Sequence, residues 1–418
     1  MRALLYGGKR PDRPKVPAGH DSGAERRELS LMERLDRAPV ELIELDQPRP
    51  QFDDWVVIRT HLCGICGSDA KQVFNDFSPG NRNNALSNFV SMPQVLGHEV
   101  VGTIEQAGPA VQSLSPGQRV VLNPWLSCRP RGVDPVCPAC EAGDFSLCWS
   151  FQDGRLSPGL HTGFAPEATG GYADFLPAHE SMAVPVPEGV SDEDAVLADP
   201  FSVSLHAVMR NPPPAAGRAV VYGAGALGIT ATAILRSLFP QIEVLVIARW
   251  QAQADLAGRL GATVIGHEPA IGVIEKIAKW SGGTLRSSRR GLPMAYPGGV
   301  DVVYNTVARP ETMEVSARVL TARGVLVQSG LHGAAEWESS PLYFKELRLV
   351  GSNAFGMETV RDVKAYAYEH YFSLLAAGEL SLQGMLTHTF DLTDWRAAFG
   401  ALADQGSSGA IKVAFDFR

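Results

Sequence analysis

The run Cys66-Gly67-Ser68-Asp69 and the later run Gly97-His98-Glu99, followed by Gly102 and Gly108, bring together a thiol, an imidazole and carboxylates. These are the ligand types a catalytic zinc takes while keeping one position open for substrate or water. Glycines beside such ligands let strands turn tightly. Taken alone, His98 reads as a satisfied core histidine. Beside Glu99, and with Cys66 upstream, it reads as a metal ligand.

Cys128, Cys137, Cys140 and Cys148 follow the spacing C-x8-C-x2-C-x7-C. Four thiolates around zinc make a closed tetrahedral site that fixes a loop and offers no open position. Cys63 and Cys66 complete the six cysteines. They are spaced like a Cys-x-x-Cys redox pair, but the thioredoxin-like context is missing. Cys66 is therefore taken as the ligand and Cys63 as a packing residue. Clustered thiols in a chain of 418 residues do not make a disulfide scaffold; they point to metal and a reducing compartment, so a cytoplasmic location is expected. The first residues, Met1-Arg-Ala-Leu-Leu-Tyr6, lack the apolar core and cleavage site of a secretory signal, and the chain contains no N-x-S/T sequon.

Gly223-Ala-Gly225-Ala226-Leu227-Gly228 follows the strand-like Ala219-Val-Val-Tyr222 and opens an apolar helical stretch. In that context the first glycine makes the turn, the second admits a pyrophosphate and the third lets helix pack on strand. The pyrophosphate would meet the helix amides and the positive end of the dipole. At the end of the next strand, where an NAD enzyme wants a carboxylate for the ribose 2′-hydroxyl, Val246-Ile247 runs into Ala248-Arg249-Trp250. Arg249 could clamp a 2′-phosphate, and no acid stands there to repel it. NADP is the expected cofactor, with NAD possible if other contacts hold it.

These motifs need two kinds of scaffold. The first half reads as short strands, Trp55–Thr60, Val100–Glu105 and Arg119–Leu122, divided by Pro, Gly and Asn. From about Pro212 strands and helices alternate: strand 219–222, helix 226–238, strand 243–247, helix 251–260, then strands at 263–265, 301–305 and 324–328. Near-continuous apolar strands between helices predict a doubly wound parallel sheet covered on both faces. The tail ends in the strand-like Ala410–Asp416. The expected fold class is α/β, with a β-rich catalytic domain over 1–200, a dinucleotide-binding domain over 201–350, and a return to the first domain over 351–418.

Residues 8–38 and 281–299 read as insertions of solvated surface. The longest apolar tract, Ala219–Phe239, has its glycines near the start and a helical part too short to cross a membrane. Ordinary apolar and charged fractions, 45% and 20%, fit a soluble globular protein, and a net charge of −8 argues against nucleic acid as partner.

Read together, Gly-Ile-Cys66-Gly-Ser-Asp69, Gly97-His98-Glu99-x-x-Gly102, the four-cysteine lobe, Asp199-Pro200-Phe-Ser-Val-Ser-Leu-His206-Ala and the motif at 223–228 resemble the zinc-dependent medium-chain alcohol dehydrogenases, nearer their polyol (sorbitol) and threonine dehydrogenase branch. The resemblance implies a GroES-like catalytic domain beside a Rossmann domain. It also implies zinc at Cys66 and His98, with Glu99 as a ligand or just behind the ligands. A Glu-Pro pair in the family approaches the metal directly or through water. This chain has Asp199, one methylene shorter. Ser68 would carry the hydroxyl proton away and Asp69 would orient the metal ligands. Lys71 stands at the relay's outer end, where the family often has histidine; a lysine there is normally protonated near neutral pH. Ser329 and Leu331, after the strand at 324–328, join Gly223, Gly225, Ala226, Leu227, Gly228 and Arg249 as expected cofactor contacts.

The expected reaction is hydride transfer between NADP(H) and a secondary alcohol, polyol, sugar or amino-alcohol, in a homo-dimer or homo-tetramer. A catalytically silent nucleotide-binding relative would have lost its metal ligands, and this chain keeps them. A zinc-free quinone or enoyl reductase is disfavoured by Cys66, His98 and the cysteine lobe. His206 reads as helix packing, while His20, His161, His179, His267, His332, His370 and His388 lack ligand context. The substrate pocket is expected to depend on segments near 74–92, 123–127 and 355.

Overall fold

Apolar residues on both faces of Trp55–Gly64 make this ten-residue strand the hub of the first sheet. It pairs antiparallel with Glu99–Ala107, Phe175–His179 and the tail strand Lys412–Asp416. Arg119–Leu122 and Ala183–Pro185 extend one side, and Leu386–Phe390 runs parallel beside the tail strand on the other. Val40–Glu44, Arg2–Tyr6 and Gln94–Val95 form a smaller sheet. The computed structural model describes residues 1–8, 29–74, 88–287, 289–331 and 336–418.

The second sheet has six strands, all parallel, in the order Thr263–Gly266, Glu243–Ala248, Arg218–Tyr222, Val300–Asn305, Leu320–Gln328, Arg348–Gly351. Numbered along the chain that order is 3-2-1-4-5-6, the doubly wound arrangement that binds dinucleotides where the winding reverses. Val220, Val221, Leu245, Val246 and Val303 are fully buried, as strands covered on both faces require. The tract Ala219–Phe239 breaks after Tyr222 into strand and helix. Among the described residues no helix is long and apolar enough to cross a membrane.

Both segments read as solvated insertions are corrected in part. Leu31–Arg37 is a helix capped by a reciprocal Ser30–Glu33 box, and its Leu35 is buried; residues 9–28, with His20, lie outside the described residues. The apolar face of this short helix offsets its charged surroundings. Between Ser281 and Gly299 the chain forms a hairpin, Leu285–Arg286 with Met294–Ala295, whose Ala295 is buried. Apolar Leu285 and Leu292 pack on the adjoining core and fold what its arginines suggested was loop.

Arg131 is fully buried, and its guanidinium donates to the carbonyls of Leu126, Asp153, Leu156, Ser157 and Gly159 at 2.5–3.2 Å. All of its polar nitrogens are used, so one side chain pins the segment that leads to His161. Arg131→Ala should cost at least about 3 kcal/mol because several buried carbonyls lose their donor. Denaturant unfolding measures this, and Arg131→Lys should recover only part of it. A neutral result for Arg131→Ala would show the segment held by other contacts.

Candidate active site and metal centres

Strand pairing builds the first cluster. Gly64 lies opposite Glu99 in the register, and the chain leaves that strand directly into Cys66, the cap of the helix Gly67–Val73. Ligand atoms of Cys66, His98 and Glu99 consequently lie within 4.8 Å of one another. Asp69 is fully buried behind them, with Oδ1 3.5 Å from His98 Nδ1 and its other oxygen accepting from the Tyr172 hydroxyl at 2.9 Å. Burial disfavours charge on His98, yet the Asp69 and Cys66 charges override it and hold its pKa well above the ordinary value. Nδ1 faces Asp69, which leaves Nε2 as the nitrogen available to a metal. A thiol, an imidazole oriented by a carboxylate and a second carboxylate fit zinc.

Asp199 stands outside that group of three. It is buried in the first turn of the helix Ala198–Arg210 and accepts from the Tyr368 hydroxyl at 3.3 Å. Burial, then the Glu99 charge, pushes its carboxyl up to about 7. Its shorter side chain is engaged by tyrosine, so Glu99 is the carboxylate the fold brings to Cys66 and His98. Ser68 is half-buried on the same helix as Asp69. The Lys71 ammonium, one turn further, donates to the carbonyl of Leu331 beyond the second sheet.

The four cysteines form the second cluster, their sulfurs also within 4.8 Å of one another. Backbone amides point at them: Cys137 N–H at Cys128 Sγ (3.3 Å), Trp149 N–H at Cys137 Sγ (3.4 Å) and Ser150 N–H at Cys148 Sγ (3.4 Å). Amide donors stabilise thiolates, the charge state a metal needs. Cys63 is buried in the core with its thiol pushed up in pKa by burial, in keeping with packing rather than ligation.

At the second sheet Gly223 has φ +97°, a left-handed turn that favours glycine. A Cβ on Gly228 would sit 1.8 Å from the Gly223 carbonyl oxygen, so helix and strand approach too closely for any side chain. Gly225 caps the helix Ala226–Leu238 and has open space beside it. Arg249 is exposed at the tip of Glu243–Ala248, its guanidinium 4.7 Å from the Trp250 ring. The Ser329 amide bonds the Asn305 carbonyl at 3.1 Å, holding Ser329 at the end of its strand, near the reversal point.

Two family models match the chain. The alcohol dehydrogenase GroES-like domain covers residues 52–188 and the zinc-binding dehydrogenase model covers 226–368. The chain belongs to the zinc-dependent medium-chain alcohol dehydrogenase family. It is 27% identical over 340 residues to (R,R)-butanediol dehydrogenase of Saccharomyces cerevisiae, covering 76% of this chain and 81% of the relative. It is 25% identical over 358 residues to D-xylulose reductase A of Aspergillus oryzae, covering 85% and 88%. A solved zinc-binding dehydrogenase from Sinorhizobium meliloti, bound to NADP, superposes with a TM-score of 0.67 at 25% identity, covering 90% of this chain and 95% of that one.

Several residues of this dehydrogenase were not legible as site residues. Lys412 is buried, forms an ion pair with Glu99 and donates to the Ile65 carbonyl at 3.1 Å. A lone lysine in the apolar tail strand was the available signal. The His161 ring centre lies 4.7 Å from that of His98; burial, then the His98 charge, pushes its pKa down to about 3. Trp125 and Phe355, from two of the expected pocket segments, lie 6.0 Å apart. Residues 75–87 of the third lie outside the described residues, as does His332. His206 does more than pack: its Nδ1 is 2.5 Å from the buried Glu358 carboxylate.

Proposed function

We propose that this dehydrogenase transfers hydride between NADP(H) and the carbinol carbon of a secondary alcohol, polyol, sugar or amino-alcohol, or the matching carbonyl. The observation that carries the reading is the contact between Lys71 and the Leu331 carbonyl, which brings the helix behind Cys66 against the cofactor end of the parallel sheet. Relatives named for xylulose and butanediol chemistry support the polyol class.

Cys66, His98 and Glu99 would hold the catalytic zinc, and Cys128, Cys137, Cys140 and Cys148 the structural one. Bound zinc supplies Lewis acidity at the substrate oxygen. Asp69, itself fixed by Tyr172, orients the His98 ring. Ser68 takes the hydroxyl proton, and Lys71, held at the Leu331 carbonyl, marks the outer end of that path. Trp125, Phe164 and His161 place aromatic rings against the His98 side of the centre.

Arg249 supports NADP, because a guanidinium at the tip of the second strand can bond a 2′-phosphate that a carboxylate would repel. A panel of secondary alcohols and ketones with both cofactors tests the reading. We expect kcat/KM with NADP to exceed that with NAD by about ten- to a hundredfold, and Arg249→Ala to remove most of that difference. A native preference for NAD would overturn the cofactor assignment, and failure to turn over any alcohol with metal loaded would overturn the reaction.

A further inference from the structure

We propose that His161 and Trp125 form a hydroxyl-reading pair beside the reacting centre, so that the preferred substrates carry a second hydroxyl on the carbon next to the one that reacts. This rests on the dehydrogenase reading above and narrows its substrate class to vicinal diols and their α-hydroxy ketones.

The two residues are locked side by side. They face each other across a β-bridge, flanked by hydrogen bonds from Leu126 N–H to Leu160 (3.1 Å) and from Thr162 N–H to Pro124 (2.8 Å). Their rings are perpendicular with centres 5.8 Å apart. His161 also lies 4.7 Å from the His98 ring and 3.7 Å from the Phe164 ring. The pair thus sits against the cluster of Cys66, His98 and Glu99.

Both carry an unused polar group. His161 Nδ1 is 2.7 Å from the Thr162 carbonyl, which accepts only, so this nitrogen holds the proton and Nε2 presents a lone pair. Nε2 has no hydrogen-bonding partner among the described residues. The Trp125 indole N–H is buried and equally without a partner. A buried indole N–H without a partner is rare because it forfeits its bond to water, and the Nε2 lone pair of the neighbouring His161 is the acceptor beside it.

A hydroxyl is both donor and acceptor. One hydroxyl can donate to His161 Nε2 and accept from the Trp125 indole, whereas a methylene in its place leaves both unpaired. The substrate's reacting oxygen is committed to the centre at His98. Because the His98 and His161 rings are in contact, the oxygen each addresses belongs to neighbouring carbons. Sites that hydrogen-bond a substrate hydroxyl reject the analogue lacking it far more strongly than apolar pockets discriminate by size.

The test is reduction of acetoin and butanone, which share a carbon skeleton and differ by that hydroxyl, by the zinc-loaded full-length enzyme with NADPH and with NADH. We expect kcat/KM for acetoin to exceed that for butanone by about a hundredfold or more. His161→Phe should bring the ratio down by at least about tenfold, with Trp125→Phe acting in the same direction. Thermal unfolding of each variant identifies a folding failure, and either variant alone suffices for the comparison. Equal turnover of the two ketones by the wild type, or an equal loss on both in a folded variant, overturns this inference and leaves the dehydrogenase reading standing. Absence of turnover on both ketones and across the alcohol panel overturns both.

Discussion

Cys66→Ser and His98→Ala will each lower kcat/KM by at least about three orders of magnitude and remove one of the two metals expected per chain. The size follows from the several kcal/mol of charge stabilisation a Lewis acid supplies at a reacting oxygen, each 1.36 kcal/mol being about tenfold in rate. The specificity follows from geometry. Cys66, His98 and Glu99 lie at the adjoining ends of two paired strands and converge within 4.8 Å, while the four-cysteine cluster is a separate set. Elemental analysis should therefore find the second metal retained, and the unfolding midpoint little changed. Cys128→Ser should do the opposite, with loss of the structural metal and a clear fall in stability. Cys63→Ser is the neighbouring control. That cysteine is buried and packs without ligating, so the variant should keep both metals. A Cys66→Ser enzyme with both metals and near-native turnover would remove the catalytic assignment.

What could be read from the chain depended on whether the signal was local. The helix Ala226–Leu238 stands where the alternation of apolar runs placed it, and the strands Arg218–Tyr222, Glu243–Ala248 and Val300–Asn305 stand within one residue of their expected bounds, since each is specified by its own residues. The glycine turn was legible for the same reason. Lys412, Arg131 and His161 were not. Each is a polar residue whose burial depends on partners that local periodicity does not show: Glu99 for Lys412, five loop carbonyls between Leu126 and Gly159 for Arg131, and His98 for His161. Spacing cannot show that a charge will be neutralised by a residue hundreds of positions away. The helix Leu31–Arg37 was hidden differently, because one buried leucine among charged neighbours leaves little periodicity to detect.

Lys412→Met will destabilise the folded protein by about 3–5 kcal/mol, measured by denaturant unfolding. Removing one member of a buried ion pair strands the other, and that stranded charge is the main cost. Lys412 and Glu99 are each only 2% exposed, and the ammonium also bonds the Ile65 carbonyl. Burial alone would lower the Lys412 pKa, but the Glu99 carboxylate raises it, so the amine is charged at neutral pH. Adding Glu99→Gln to Lys412→Met should recover at least half the lost stability, because the stranded charge is then gone. If the double variant is no more stable than the single one, the loss comes from packing and the pair is incidental. Lys412 places a positive charge against the Glu99 carboxylate that the fold brings within 4.8 Å of Cys66 and His98. The tail strand therefore does more than finish a sheet: through Lys412 it supplies the charge that lets the Glu99 carboxylate stay buried beside Cys66 and His98.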